Sequence, residues 1–449
     1  MNTTPTLPRV LNASHATAIV VGTIIGSGIF LVPREMMQAA GSAGPVYLAW
    51  IVGGVLTLFG ALSYAELGAA RPQAGGEYVY LRDAYGNLAA FLYMWTWFAV
   101  AKPASIGALT IGLVRILGTF PQLAFLQQPI GGLPLQWGQL AAIFFAWLMS
   151  GLNYLGLKKA GDFQLFFTWL KGALILGIAV FCLFGGRGSL ANFTATLPGA
   201  TGGLAGFMLA LTATLWAYDG WNDLSMVGGE VRNPQRSLPL ALIAGVAIVG
   251  LLYMATNAAI LYVLPPADIA ASPRPAVEAM ARVAGLFGAG LVSAAMALSI
   301  LVTLNGTILS GARIPYAAAR DGLFFKSMAT VNPRFHSPST ALLVQAILST
   351  ALLLVSSRFQ DLFELAVFAE WLFYALTASA VFVFRRRAGE APSPFRAPGY
   401  PVVPALFIAM AAAVLVYTYA GNLRQSLIGT TVILAGVPLY WFFQARKKS

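Results

Sequence analysis

The chain has 449 residues, 58% of them hydrophobic and only 9% charged, with a mean hydropathy of +0.76. Soluble domains carry about 25% charged residues, so a water-soluble globule is excluded and a polytopic membrane protein is expected. The net charge of +12 is spread over many short connections and forms no aromatic-studded basic surface, which argues against a nucleic-acid partner.

A span needs about 20 mainly apolar residues. Twelve such stretches are predicted, at 14–39, 44–69, 87–118, 136–155, 157–184, 203–230, 237–263, 277–312, 339–356, 361–384, 401–421 and 426–443. The separators are short and rich in Pro and Gly, such as "RPQAGGEY" and "RNPQRSLP", so 1–449 reads as one transporter-sized unit with no soluble domain. The first stretch lacks the basic flank and small-residue cleavage site of a signal peptide. Lys and Arg gather on one side of the predicted spans, in clusters such as Arg385–Arg387 and Arg446–Lys448. By the positive-inside rule both termini are cytoplasmic, in a cell (inner or plasma) membrane.

Span 1 contains "GTIIGSGIF", residues 22–30. Gly26, Ser27 and Gly28 are poor residues for an unbroken helix at mid-membrane, where each unpaired peptide group costs several kcal/mol. A broken helix is tolerated where the freed backbone lines a cavity, and breaks at matching positions of two halves mark a transporter's binding site. Span 6 supplies the match in "LWAYDGWND", residues 215–223. Spans 1 and 6 each lead a set of five, over 14–184 and 203–384, with 401–443 trailing. An odd number per set inverts the second relative to the first. The expected fold is therefore all-α, an inverted five-helix repeat with broken helices 1 and 6 plus two trailing helices. At the breaks, the N–H groups of Gly26, Ser27 and Gly28 face a carboxylate at a positive helix end. Carbonyls of Thr23, Ile24 and Ile25, and of Trp216, Ala217, Tyr218 and Asp219 beside Gly220, are expected to accept from an α-ammonium.

Several motifs together resemble the L-type amino acid transporter family of the amino acid–polyamine–organocation superfamily. They are "GTIIGSGIFLVP", "SYAELGAARPQAGGEYVYLRDAYG", "AKPAS", "AYDGWNDLSMVGGEVRNPQRSLP", "LNGTILSGARIPYAAARDGLF" and "FRAPGYPVVPALF", and the similarity runs from about 14 to 443. The resemblance implies an amino acid carrier, usually an exchanger. It gives Ile24, Ser27 and Gly28 backbone contacts to substrate, makes Trp216 an aromatic gate and turns Asn222 to the pocket. It also matches Lys158, in "YLGLKKAG", to a span-5 lysine whose ammonium replaces a sodium ion between spans 1 and 8, with Thr303 as its span-8 neighbour. Lys102, beside Pro103 in span 3, is an intramembrane charge and so a functional candidate in its own right. Glu370, in span 10, has no partner identifiable from the sequence.

Two positions depart from the family pattern. Asp219 stands where the family has Gly or another small residue, and an acid there suits a cationic side chain, an amine or a proton. Animal members are joined to a single-span glycoprotein through a loop cysteine between spans 3 and 4. The corresponding "TFPQLAFLQQPIGGLPL" has none, and the one cysteine, Cys182, lies within span 5, so no disulfide-linked heavy chain is expected at that loop.

The expected function is sodium-independent exchange of neutral amino acids by alternating access. The alternative is exchange of arginine, agmatine or polyamine on the same fold. An ion channel would need rings of charge or carbonyls, which nothing here repeats to build. Two histidines and one cysteine supply no metal or nucleophile constellation, so neither enzyme activity, metal nor cofactor is expected. No GxxxxGK[ST] loop is present for driving transport with ATP.

Overall fold

The computed structural model describes residues 7–132, 135–355, 359–387, 392–421 and 423–448. Among these the chain is almost entirely helical, and its β structure is limited to isolated bridges such as Leu11 with Val231. In chain order the helices are α1 (Ala13–Ile24), α2 (Gly28–Ala40), α3 (Ala43–Ala70), α4 (Glu77–Tyr85), α5 (Asn87–Thr96) and α6 (Lys102–Leu117). Then come α7 (Trp137–Tyr154), α8 (Leu157–Phe184), α9 (Gly203–Ala217), α10 (Asp223–Met226), α11 (Pro234–Val263) and α12 (Pro266–Ala271). The chain continues through α13 (Pro275–Gly311), α14 (Arg313–Arg320), α15 (Ser339–Val355), α16 (Phe359–Arg386), α17 (Val402–Gly421) and α18 (Leu423–Lys448).

Seven of the described helical segments are long and apolar enough to cross a membrane, or eight if the bent pair α1 and α2 is one span. That pair meets at 42°, across the break at Ile25–Ser27. Shorter apolar helices, Gly203–Ala217 and Ser339–Val355, fall on predicted spans 6 and 9. The apolar surface is divided as a lipid-immersed bundle requires. Phe166, Leu251 and Trp441 point outward and are exposed, while Trp50, Tyr253 and Phe91 are buried among the helices.

Three pairs of helices of equal rank in the two halves pack against each other. The second predicted span lies along the seventh (α3 on α11), the third along the eighth (α6 on α13) and the fourth along the ninth (α7 on α15). The halves of the broken spans follow the same rule, with α2 along α9 and α1 touching α10. The two breaks are thereby brought to the middle of the bundle.

Between α5 and α6 the chain makes a π-helical turn, Trp97–Ala101. Its cause is local. Pro103, at the start of α6, has no N–H to bond back into the preceding turn, and widening the turn accommodates the loss. The result aims Trp97 and Lys102 inward.

Candidate functional site at the two helix breaks

Helix α1 ends at Ile24, whose successor Ile25 leaves helical geometry. Helix α9 ends at Ala217, and the chain turns through Gly220, at φ +98°, before α10. The breaks touch. Thr23 Oγ1 donates to the Gly220 carbonyl at 2.8 Å. A Cβ on Gly220 would lie 3.0 Å from the Thr23 oxygen, and one on Gly28 would lie 3.2 Å from the Ala217 Cα. Both glycines are required, Gly220 by its left-handed backbone as well as by space.

A cavity of about 130 Å³ lies where the breaks meet. One water needs about 10–15 Å³ on this measure, so the space holds a ligand of several heavy atoms. From the first break it is lined by Thr23, Ile24, Gly26, Ser27 and Gly28; from the second by Trp216, Ala217, Asp219, Gly220 and Asn222; and from α13 by Thr303. The N–H groups of Ser27 and Gly28 reach no backbone acceptor among the described residues, and they stand at the positive end of α2.

Three expectations drawn from the sequence are corrected by this placement, beginning with Lys158. It is exposed in the first turn of α8 and does not line the cavity. The ammonium on the first break belongs to Lys171, 13 residues and about 20 Å further along the same helix. Fully buried, its Nζ lies 2.7 Å from the Gly22 carbonyl, 2.6 Å from that of Ile25 and 3.4 Å from that of Ser299. Thr303 Oγ1 meets the same Gly22 and Ile25 carbonyls, at 3.1 Å each.

The second correction concerns the carbonyls. That of Ile25 is occupied by Lys171, Ser299 and Thr303. Those of Ile24 and Ala217 are both bridged by the Tyr253 hydroxyl of α11, at 3.1 Å each. The protein's own donors thus hold four of the seven carbonyls expected to face substrate, that of Trp216 through the Asp219 N–H at 3.1 Å, and Ile25 does not line the cavity at all. Third, Tyr218 turns away and packs edge-on against Trp50.

The cavity also has walls that the broken-helix reasoning did not reach. Trp97, Ser105 and Leu109 come from the span-3 segment, Asp223 from α10, Thr307 from α13 and Glu370 from α16. Lys102 lines it too, and its ammonium is 2.5 Å from Asp223. Asn222 is held on both sides, its amide donating to Glu77 at 2.6 Å and its oxygen accepting from Tyr374 at 3.0 Å. Tyr374 also reaches Asp219, at 2.8 Å, and Glu370 lines the same cavity as Asp219. The intramembrane-charge rule was the signal available for Lys171, Asp223 and Glu370; only the fold shows what each one meets.

Sequence comparison points the same way. The model of the family described as "Amino acid permease" matches residues 11–443. The serine/threonine exchanger SteT of Bacillus subtilis (strain 168) is 33% identical over 447 residues, covering 99% of this chain and 98% of that protein. The human cystine/glutamate transporter is 32% identical over 97% of this chain and 85% of its own length. The human b(0,+)-type amino acid transporter 1 is 31% identical over 98% of this chain and 89% of its own.

Proposed function

The chain belongs to the amino acid permease family, a family of membrane transporters and not of enzymes, and from that premise we propose that it exchanges neutral amino acids by alternating access, without sodium. The observation that carries the reading is the contact of the two helix breaks around one cavity. An α-carboxylate fits the free N–H groups of Ser27 and Gly28 at the positive end of α2. The α-ammonium is left the carbonyl of Thr23, and the side chain lies beneath Trp216, which acts as the gate.

In this reading Lys171 takes the place of a sodium ion and Thr303 is its span-8 neighbour. Its ammonium ties α8 to the mobile first break while α13 closes the triangle. The inverted repeat is supported by the pairing of equal-rank helices across the halves. Twelve spans with both termini in the cytoplasm of a plasma-membrane protein then follow from the Lys and Arg distribution. Several similar proteins are named as exchangers or transporters of amino acids. A heavy chain linked by disulfide has no sulfur to use between α6 and α7, and Cys182 is buried in α8.

A second reading is favoured by one observation, the Asp219 carboxyl on the cavity wall. An ionised acid there attracts a guanidinium or amine and would make the protein an arginine, agmatine or polyamine exchanger. Proteoliposomes loaded with unlabelled alanine decide between them. Labelled alanine uptake is expected to be competed by serine, alanine and leucine, and unchanged when choline replaces sodium. Preferential competition by arginine or agmatine would establish the second reading instead.

A further inference from the structure

Asp219 and Glu370 bring two carboxyls to the wall of one cavity. Two carboxylates sharing one buried site do not both ionise readily, so the pair keeps one proton and with it carries one negative charge. Among the described residues, no cation facing it is left to offset that charge. Tyr374, on α16, donates to Asp219 without bringing a cation. Lys102, on α6, is committed to Asp223 of α10 at 2.5 Å. Glu77, on α4, stands behind Asn222 and adds a further acid. Tyr64 of α3 and Tyr93 of α5 complete the surroundings as neutral phenols.

A lone charge in this setting is costly unless a ligand or a proton offsets it. A neutral amino acid does not do so, because its own carboxylate and ammonium cancel. A second proton does. Thr307 of α13 lines the same cavity, is 6% exposed, and its hydroxyl has no hydrogen-bond partner among the described residues.

We propose that Asp219 and Glu370 form a proton-binding site in the transport pocket, and that a neutral amino acid binds there together with one proton. The inference rests on the reading that the cavity takes an amino acid. On binding, a proton from the water on the open side forms an O–H bond with the ionised carboxylate of the pair, giving a neutral diacid. That bond breaks to water when the amino acid leaves, and no electron changes hands. Exchange of one neutral amino acid for another carries the proton both ways. No net proton crosses, so a pH difference across the membrane changes the rate of exchange and not its equilibrium.

The test is calorimetry on the purified full-length protein with alanine, serine and leucine, in buffers of different ionisation heat. Above the pair's titration, about one proton is expected to be taken up per amino acid bound, with Kd weakening about tenfold per pH unit. The Asp219→Asn/Glu370→Gln double variant is expected to bind with no proton uptake and a Kd flat in pH. Glu77→Gln is expected to keep the uptake, which separates the pair from its acidic neighbour. Wild-type binding without proton uptake at any pH from about 5 to 9 overturns the proposal, even if the double variant does not fold. So does uptake that survives in the double variant, uptake lost in Glu77→Gln instead, or arginine binding that displaces a proton. If none of the three amino acids binds at any pH, the amino acid reading fails and takes this inference with it. Binding without proton linkage sinks the inference alone.

Discussion

The ammonium of Lys171 lies 2.6 Å from the carbonyl of Ile25, the residue at which α1 loses its helix. A carbonyl freed by a helix break inside a bundle needs a donor, and here a buried cation supplies it while joining α8 to the break. Losing a hydrogen bond from a charged group costs about 1.5–3 kcal/mol. Lys171→Ala is therefore expected to lower exchange in proteoliposomes by about tenfold or more. Lys158→Ala, altering an exposed residue at the end of the same helix, should leave the rate near wild type. Equal rates in Lys171→Ala and wild type would remove the lysine from the transport cycle.

The bundle and the position of the cavity are legible in the sequence because lipid imposes a simple rule, continuous apolar helix except where a cavity is lined. Gly26–Gly28 and Asp219–Gly220 violate it in two separate spans, and the structure brings the two breaks together, Thr23 against Gly220 and Gly28 against Ala217. Lys158 stands in the wrong place for the role its motif suggests, and the reason is physical. Matching a motif along the chain does not report depth, and a lysine at the first turn of a helix is about 20 Å from one at its middle. Tyr253 is invisible in the sequence because a tyrosine in an apolar span looks like packing until its hydroxyl is seen between two carbonyls. Glu370 needs the fold for the same reason, since Asp219, the acid with which it shares the cavity, is 151 positions away along the chain.

Tyr253 ties the two breaks through one hydroxyl, 3.1 Å from the carbonyls of Ile24 and Ala217. Tyr253→Phe keeps the ring against Trp50 but strips both carbonyls of their shared donor. An unsatisfied buried polar group costs about 1–3 kcal/mol. The variant is expected to melt several degrees lower in detergent and to exchange amino acids more slowly. An unchanged melting temperature and rate would show that water replaces the hydroxyl without loss.

Arg313 and Glu230 form a buried two-point ion pair, at 2.8 and 3.1 Å, with side chains 1% and 0% exposed. It fixes α14 to the segment that follows α10. Removing one member leaves an uncompensated charge, at a cost of about 3–5 kcal/mol. Glu230→Ala should accordingly give little folded protein in a fluorescence-detected size-exclusion profile, and exchanging the two residues (Glu230→Arg/Arg313→Glu) should recover part of it. A monodisperse, wild-type-like profile for the single variant would contradict the argument.

Glu77 lies on α4, in the connection between α3 and α5, and is fully buried. Burial is the largest influence on its carboxyl and pushes it from the ordinary 4.5 up to about 7, against the opposing hydrogen bond from Asn222. The sign of the consequence follows directly. Between pH 4.5 and about 7 the native state holds this proton and the unfolded state does not, so stability falls as pH rises through that window. Above about 7 the full penalty is present, at most about 3 kcal/mol for a shift of this size. Glu77→Gln has no such proton to lose and keeps an amide beside Asn222. Its melting temperature relative to wild type should therefore climb as pH is raised from about 5 to 8, and the two should be closest at the acid end. A difference that is constant across that range, or largest in acid, would mean that Glu77 is already ionised in the folded protein and paired more strongly than its burial indicates.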